Sequence, residues 1–512
     1  MISLKLIVIY YMSRKSFFSL FFISAVTLCH AQLRLPQYFA DHAILQRDQP
    51  VTLWGWCDPG KQVFVLFDNS NYTGITGKDS IWQVCIPAQQ AGGPYRISIE
   101  SGMEKLVIDD IYFGDVFFCS GQSNMQFLMG QEAYRSTQNS DYPLIRSLHV
   151  HRKTATTPQK DVWRAEWILA TDKNLNRHSA VAYYFAKQIH ERERIPVGII
   201  HASWGASTIE TFMDPHSLRD FSEARSQVEK ITPEFVERVK RANDSLLTAN
   251  PGVKNPKGFI NIENRYPTMV YNGMVMPFFS YPIKGVIWYQ GEGNAFVPIC
   301  YEYEAMLTEM INSWRASWRN ELLPFFIVQL ANYGKIIEKP ESSAWAVVQE
   351  AQFTVSRKLK NVRTAITNDI GDPKDIHPRN KRDVGKRLAI QALDLIYGYK
   401  DQVNQGPVLR EAILKGSIFE LSFENVGSGL VAKDNSDELY SFAVAGADNR
   451  FYRARAEIKG DKVIVYSDEV PNPVYVRYAF ESSPERINFY NKEGFPAIPF
   501  RTDRLKDAMK RA

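Results

Sequence analysis

The chain has 512 residues, 45% of them apolar, 23% charged and 13% aromatic, with a formal charge of +5 at pH 7. That length exceeds what one ordinary core organises, so about two to four domains are expected. The composition is that of a globular protein in water, and no basic patch stands out to hold a nucleic acid.

Residues 1–31 read as an export leader. Arg14 and Lys15 form its positive region, Phe17 to Leu28 its apolar region, and Cys29-His30-Ala31 a small-residue exit before Gln32. A start at Met12 would make the leader more compact. The apolar stretch is too short for a comfortable membrane span, and bulky Leu28 disfavours a lipid anchor on Cys29. The expected destination is the periplasm or the exterior. Lys5, Arg14 and Lys15 carry three of the positive charges, which leaves +2 on the exported chain.

Residues 32–110 read as a sandwich-like β-domain. Thr52-Leu53-Trp54-Gly55-Trp56, Val63 to Phe67 and Tyr95 to Ile99 are short runs separated by turn signals such as Asp58-Pro59-Gly60. Its tryptophans are expected to fill the core rather than line a sugar-binding face. Residues 111–405 alternate strands and helices, which predicts a mostly parallel sheet covered by helices. The apolar run Val116-Phe117-Phe118-Cys119 opens this part. Strands at Val197 to His201, Gly285 to Tyr289, Phe325 to Leu330 and Thr364 to Asn368 follow. Helices are predicted over Ser179–Arg194, Tyr301–Trp318, Ala344–Leu359 and Arg379–Gly398, the last with Pro378 at its first position. Residues 217–265 form a charged helical insertion. Residues 406–512 return to short alternating strands, a second β-rich domain.

Four strand exits carry polar residues, and parallel topology gathers such exits on one edge, where α/β sheets hold their ligands. The first is Ser120-Gly121-Gln122-Ser123-Asn124, with Ser123 as candidate nucleophile. The second contains Gly205, whose N–H is a candidate oxyanion donor beside that of Ser123 itself. The third, Gln290-Gly291-Glu292-Gly293-Asn294, offers a side-chain amide from Gln290 or Asn294. Each such donor is worth roughly 3–4 kcal/mol of barrier. The fourth holds His377, the candidate base, with Asp375 two residues earlier as the acid that orients it and Asp372 as the alternate. The plainer readings are a hydrogen-bonded turn for Ser123, a helix-capping histidine, and carboxylates that stabilise a helix start. Glu292 is either a buried structural carboxylate or a group that orients Gln290.

Cys57, Cys85, Cys119 and Cys300 follow the leader, too few for a disulfide scaffold. Cys57 and Cys85 share one β-rich segment, and their pairing is left open. No Cys-x-x-Cys or His-x-x-x-His occurs, so zinc has no support, and no cofactor is expected. His149 and His151 alternate on a strand as surface or core residues. Cys119 ends an apolar strand with no adjacent base, which disfavours a thiol enzyme.

The segments GDVFFCSGQSNMQF, ASWGASTIETF, IKGVIWYQGEGNA and DIHPRNKRDVGKRLA resemble the four blocks of the sialate O-acetylesterase family, part of the SGNH-hydrolase superfamily. The stretches LPQYFADHAILQRDQPVTLWGW and NFYNKEGFPAIPFRTD are similar to its opening and ending, so the resemblance covers nearly the whole exported chain. It implies an α/β fold: a flavodoxin-like SGNH-hydrolase domain with a mostly parallel sheet, flanked by β-domains. It also implies hydrolysis of O-acetyl esters on sialic acids. By position, Ser123 matches the family's nucleophile, His377 its base and Gly205 its second-block glycine, while Gln290 and Asn294 fall in the third block. Two departures stand out. Gly293 replaces a serine usual in the third block, and Lys374 holds the position three before the histidine where many SGNH enzymes carry the acid. An acetylxylan or other polysaccharide esterase is the near alternative, and a non-catalytic carbohydrate-binding protein the distant one.

Overall fold

The computed structural model describes residues 32–132, 141–341 and 343–503, so the leader expected over 1–31 lies outside the described residues. The central sheet contains β1 (Glu104–Gly121), β2 (Tyr142–Val150), β3 (Ala165–Ala170), β4 (Val197–Ser203), β5 (Gly285–Tyr289), β6 (Phe325–Val328) and β7 (Val362–Ala365). Their order is β7-β6-β5-β1-β4-β2-β3. Every neighbouring pair is parallel except β2 with β3. Strands β4, β5 and β6 are buried along their whole length, which is why they read as unbroken apolar runs.

The helices that matter are α1 (Ser123–Gln126), α2 (Ala180–Glu193), α3 (Tyr303–Ser317), α4 (Ala344–Lys358) and α5 (Lys381–Tyr397). Alternation along β1 divides the core in two. Phe117 and Cys119 join a cluster with Val181 and Phe185 of α2 and Leu388 of α5. Val116 and Phe118 face the opposite way, toward Met310 and Trp314 of α3 and Val348 of α4. The last helix starts later than predicted. Asn380, not Pro378, sets its beginning, because the Asn380 side chain accepts the Asp383 N–H at 3.1 Å. Gly398 closes it with φ +80°.

β1 belongs to two sheets. Its first half pairs antiparallel with Gly92–Ser101 and, around Tyr112, parallel with Ile44–Gln46. From Asp115 onward it pairs with β4. At the junction Asp115 is buried and receives Arg47 Nε and Nη2 at 3.0 Å each, Gln46 Nε2 at 3.0 Å and the Tyr397 hydroxyl at 2.8 Å. Burial alone would raise this carboxyl's pKa, but the Arg47 pair, with Lys284 and Gln46, holds it below the usual carboxylate range. One side chain thus ties the N-terminal β region to the central strand and to α5.

Trp54 and Trp82 are buried in the N-terminal region, and the Trp54 indole N–H donates to the Tyr38 hydroxyl at 3.1 Å. Trp56 lies under the Arg34 guanidinium, 3.4 Å from its ring centre. Cys57 and Cys85 are free thiols. The register explains it: Cys85 faces Thr52, and the chain reaches Cys57 only beyond the pair of Trp56 with Ile81. The C-terminal region contains two four-stranded antiparallel sheets around Phe442, Val465 and Tyr478. The insertion is helical, as expected, over Ser222–Val228, Pro233–Ala249 and Ile262–Arg265. No helix among the described residues is long and apolar enough to cross a membrane.

Candidate active site

β1 ends at Gly121 and turns within two residues into α1. Gly121 has φ +130°, and a Cβ there would sit 2.1 Å from the Tyr289 carbonyl oxygen. Only glycine lets β1 and β5 stay this close at the turn. The Gln122 N–H donates to that same carbonyl at 2.9 Å. Its side-chain oxygen accepts the N–H of Gly293 at 3.0 Å. Ser123 is therefore the first residue of a short helix whose entry is fixed from both sides, and its own N–H has no acceptor within the helix.

The Ser123 hydroxyl lies 2.8 Å from Nε2 of His377. That pair joins two residues 254 positions apart, on the first and fourth strand exits. Asp375 approaches the base in two ways. Its Oδ1 accepts the His377 main-chain N–H at 2.8 Å and stands 3.8 Å from Nδ1 of the ring. Asp372 is exposed and accepts the Lys374 N–H at 2.8 Å. Ser123, Gln126, Phe127, Asp375, His377 and Arg379 line an open cavity of about 630 Å³.

Gly205 also reaches the site, since a Cβ there would lie 3.4 Å from Cβ of Ser123. Its N–H donates to Oε1 of Gln126 at 2.9 Å. Asn264, from the insertion, donates to the Gly205 carbonyl, and Arg265 Nε donates to that of Ala206 at 3.2 Å. The insertion thus holds the second turn in place, a role no sequence pattern announced.

Gln290 and Asn294 are placed differently from the expectation. Both are fully buried. Gln290 Nε2 donates to the Ser207 carbonyl at 3.1 Å and to Asn294 Oδ1 at 2.8 Å. Asn294 Nδ2 donates to Glu210 at 2.9 Å, and its Oδ1 accepts the Ile209 N–H at 2.9 Å. Their amide donors are committed inside the protein, and neither residue lines the cavity. Gly293 packs directly on its neighbour: a Cβ would meet the Ser207 carbonyl oxygen at 2.3 Å.

Two residues the sequence reading passed over stand behind the serine. Asn124, buried, donates through Nδ2 to Glu292 Oε1 at 2.5 Å and to the Ile376 carbonyl at 3.0 Å. Its Oδ1 accepts from Nζ of Lys381 at 2.5 Å. Glu292 thus binds Asn124 rather than orienting Gln290. The signal that existed was position, since Asn124 follows Ser123 directly and Lys381 follows His377 by four.

Burial lowers the His377 pKa, and the Lys381 charge lowers it further, against the opposing pull of Asp375. Burial pushes the Lys381 ammonium down to about 7, although Glu292, Asp375 and Glu132 favour its charge. Burial raises the Glu292 carboxyl, partly offset by the Asn124 hydrogen bond. Burial also raises the Cys119 thiol, which keeps it protonated. A neutral imidazole in contact with a hydroxyl at the floor of an open cavity is the arrangement for nucleophilic acyl transfer.

A family model described as "Carbohydrate esterase, sialic acid-specific acetylesterase" matches residues 248–394. The sialate O-acetylesterase of Mus musculus is 25% identical over 430 residues, spanning 76% of this chain and 79% of that protein. That of Homo sapiens is 26% identical over 415 residues, 73% of each. Among solved structures, a carbohydrate acetylesterase from Xanthomonas citri is 36% identical, covers 92% of this chain and 99% of its own, and superposes with a TM-score of 0.81.

Proposed function

The chain belongs to the sialate O-acetylesterase family of carbohydrate esterases, and from that premise we propose that it removes O-acetyl groups from sialic acids by a Ser123–His377–Asp375 acyl-enzyme mechanism. The contact that carries this reading is the 2.8 Å approach of Ser123 Oγ to His377 Nε2. Ser123 attacks the acetyl carbonyl carbon while its proton passes to Nε2. The imidazolium returns that proton to the sugar oxygen as the C–O bond breaks, leaving acetyl-Ser123. Water then attacks the acetyl carbon, loses a proton to His377, and acetate leaves as the proton returns to the serine.

Asp375 stabilises the imidazolium. A small ring rotation closes the 3.8 Å gap to Nδ1, and such contacts tighten when substrate binds. The oxyanion is received by the N–H of Ser123 and, once the Gln126 side chain moves aside, that of Gly205. Gln290 and Asn294 brace the third turn instead of donating to the oxyanion. The domain is a variant of the flavodoxin-like SGNH arrangement, with the strand order reversing beside β1 and the site at that switch point. Residues 32–110, 111–405 and 406–512 supply the N-terminal, catalytic and C-terminal domains, and the leader directs export.

The relative from Xanthomonas citri, named only as a carbohydrate acetylesterase, matches more closely than the sialate esterases do. That observation favours acetylated polysaccharide as the second reading. Acetate release from O-acetylated sialic acid and from acetylated xylan separates the two. With either substrate, Ser123→Ala is expected to abolish turnover while the thermal melt is kept, and residual full activity would refute the nucleophile.

A further inference from the structure

Lys381 is fully buried at the first position of α5. Both facts run against its chemistry, because an ammonium loses its water there and meets the positive end of the helix dipole. Nothing in the ester chemistry above uses it. Its ammonium donates to the side chain next to the nucleophile, Asn124 Oδ1 at 2.5 Å. Asn124 in turn grips the carbonyl of Ile376, the residue before the base, and Glu292 in the third turn.

We propose that Lys381 is a positioning residue for this hydrolysis: through Asn124 its ammonium clamps the nucleophile turn to the base loop, and it keeps a positive charge within reach of His377. The proposal rests on the acyl-enzyme reading of the site. The clamp has three arms. Ser123 and Asn124 are consecutive, as are Ile376 and His377, so the Asn124–Ile376 bond runs parallel to the Ser123–His377 contact. Lys381 holds the far side of the Asn124 amide and so fixes which way it faces, oxygen toward the ammonium and nitrogen toward Glu292 and Ile376. Without that cation the amide oxygen loses the Lys381 donor, and the orientation rests on Glu292 and the Ile376 carbonyl alone.

The charged and titratable groups around this centre come from every packed element. Glu292 approaches from the third turn, Asp375 from the base loop and Glu132 from the segment after α1. The rings of Phe127 and Tyr289 lie 4.9 and 5.6 Å from Nζ, and Arg379 shares the cavity with His377. Of these, Lys381 is the cation that acts on the base. Its charge disfavours the imidazolium and so widens the pH range in which His377 is free to accept a proton.

The test uses the full exported chain with p-nitrophenyl acetate, following kcat, KM and the pH dependence of kcat/KM. Lys381→Met is expected to lower kcat roughly tenfold to a hundredfold with little change in KM, as misplacement of reacting groups does. It is also expected to move the acid limb of the profile to higher pH. Lys381→Gln keeps an amide donor for Asn124 without the charge, so it should recover part of kcat while its acid limb stays displaced. Asn124→Ala keeps the charge and cuts the clamp, so kcat should fall with the acid limb unmoved. That variant and Lys381→Gln carry the test if Lys381→Met does not fold. An acid limb unchanged in both lysine variants, or kcat unchanged in Asn124→Ala, would overturn the proposal. Full turnover in Ser123→Ala would instead remove the reading on which it rests.

Discussion

The Gly205 N–H donates to the side-chain oxygen of Gln126 at 2.9 Å, so an amide from the helix that Ser123 begins occupies the donor proposed for the oxyanion. Gln126 is the last residue of α1, three after Ser123, and it lines the cavity. On the proposed mechanism, productive binding exchanges this internal acceptor for the acetyl carbonyl.

Gln126→Ala should therefore leave the donor open. A net hydrogen bond of about 1 kcal/mol no longer has to be displaced, and kcat/KM on a small acetyl ester is expected to rise by roughly twofold to fivefold. If Gln126 instead turned its amide nitrogen to the oxyanion, the same change would cost about a hundredfold or more. Steady-state kinetics on p-nitrophenyl acetate distinguishes the two signs.

The base fixes the acid side of the pH profile. Burial and Lys381 lower the His377 pKa from its ordinary 6.5. The mechanism needs the neutral ring, so activity is complete above that lowered value and is lost as pH falls through it. The acid limb of kcat/KM is expected below pH 6.5. A limb above that value would contradict the local electrostatics.

The two candidate acids separate by mutation. If Asp375 is the triad acid, Asp375→Asn is expected to cost roughly a thousandfold in kcat. Asp372→Asn, at an exposed turn where the carboxylate accepts the Lys374 N–H, should stay within about twofold, as surface changes away from a site do. Comparing kcat for the two proteins decides the assignment.

A serine at Gly293 tests how tightly the third turn packs on Ser207. A Cβ would stand 2.3 Å from the Ser207 carbonyl oxygen, which is backbone and cannot swing away. Gly293→Ser is expected to destabilise the fold by about 1–3 kcal/mol, in line with overpacking elsewhere. Urea unfolding followed by tryptophan fluorescence measures it.

The parallel sheet and the meeting of Ser123 with His377 were legible because buried strands leave long apolar runs, and parallel topology sends their exits to one edge. Helix limits were legible to within a residue or two where a cap was obvious, as at Ser179. At α5 the proline drew attention from Asn380, whose side chain does the capping. The placement of Gln290 and Asn294 was not legible for a different reason. An amide on a strand exit is equally suited to brace a turn or to face a cavity, and only the positions of Ser207, Ile209 and Glu210 decide which. Lys381 was hidden by its type, since lysines are seldom fully buried. Asn264 was hidden by distance, reaching Gly205 across 59 positions of sequence.

The continuity of β1 has a mechanical consequence. The rod that carries Ser123 at one end is gripped at the other by Gly92–Ser101 and Ile44–Gln46. Within the gripped half the strand carries one left-handed residue, Asp110 at φ +57°, so the outer β region and the serine share one strand bent at that point. Cutting the gene near codon 110 would not release an independent enzyme but would sever a lever. The outer β region and the central sheet accordingly share one strand.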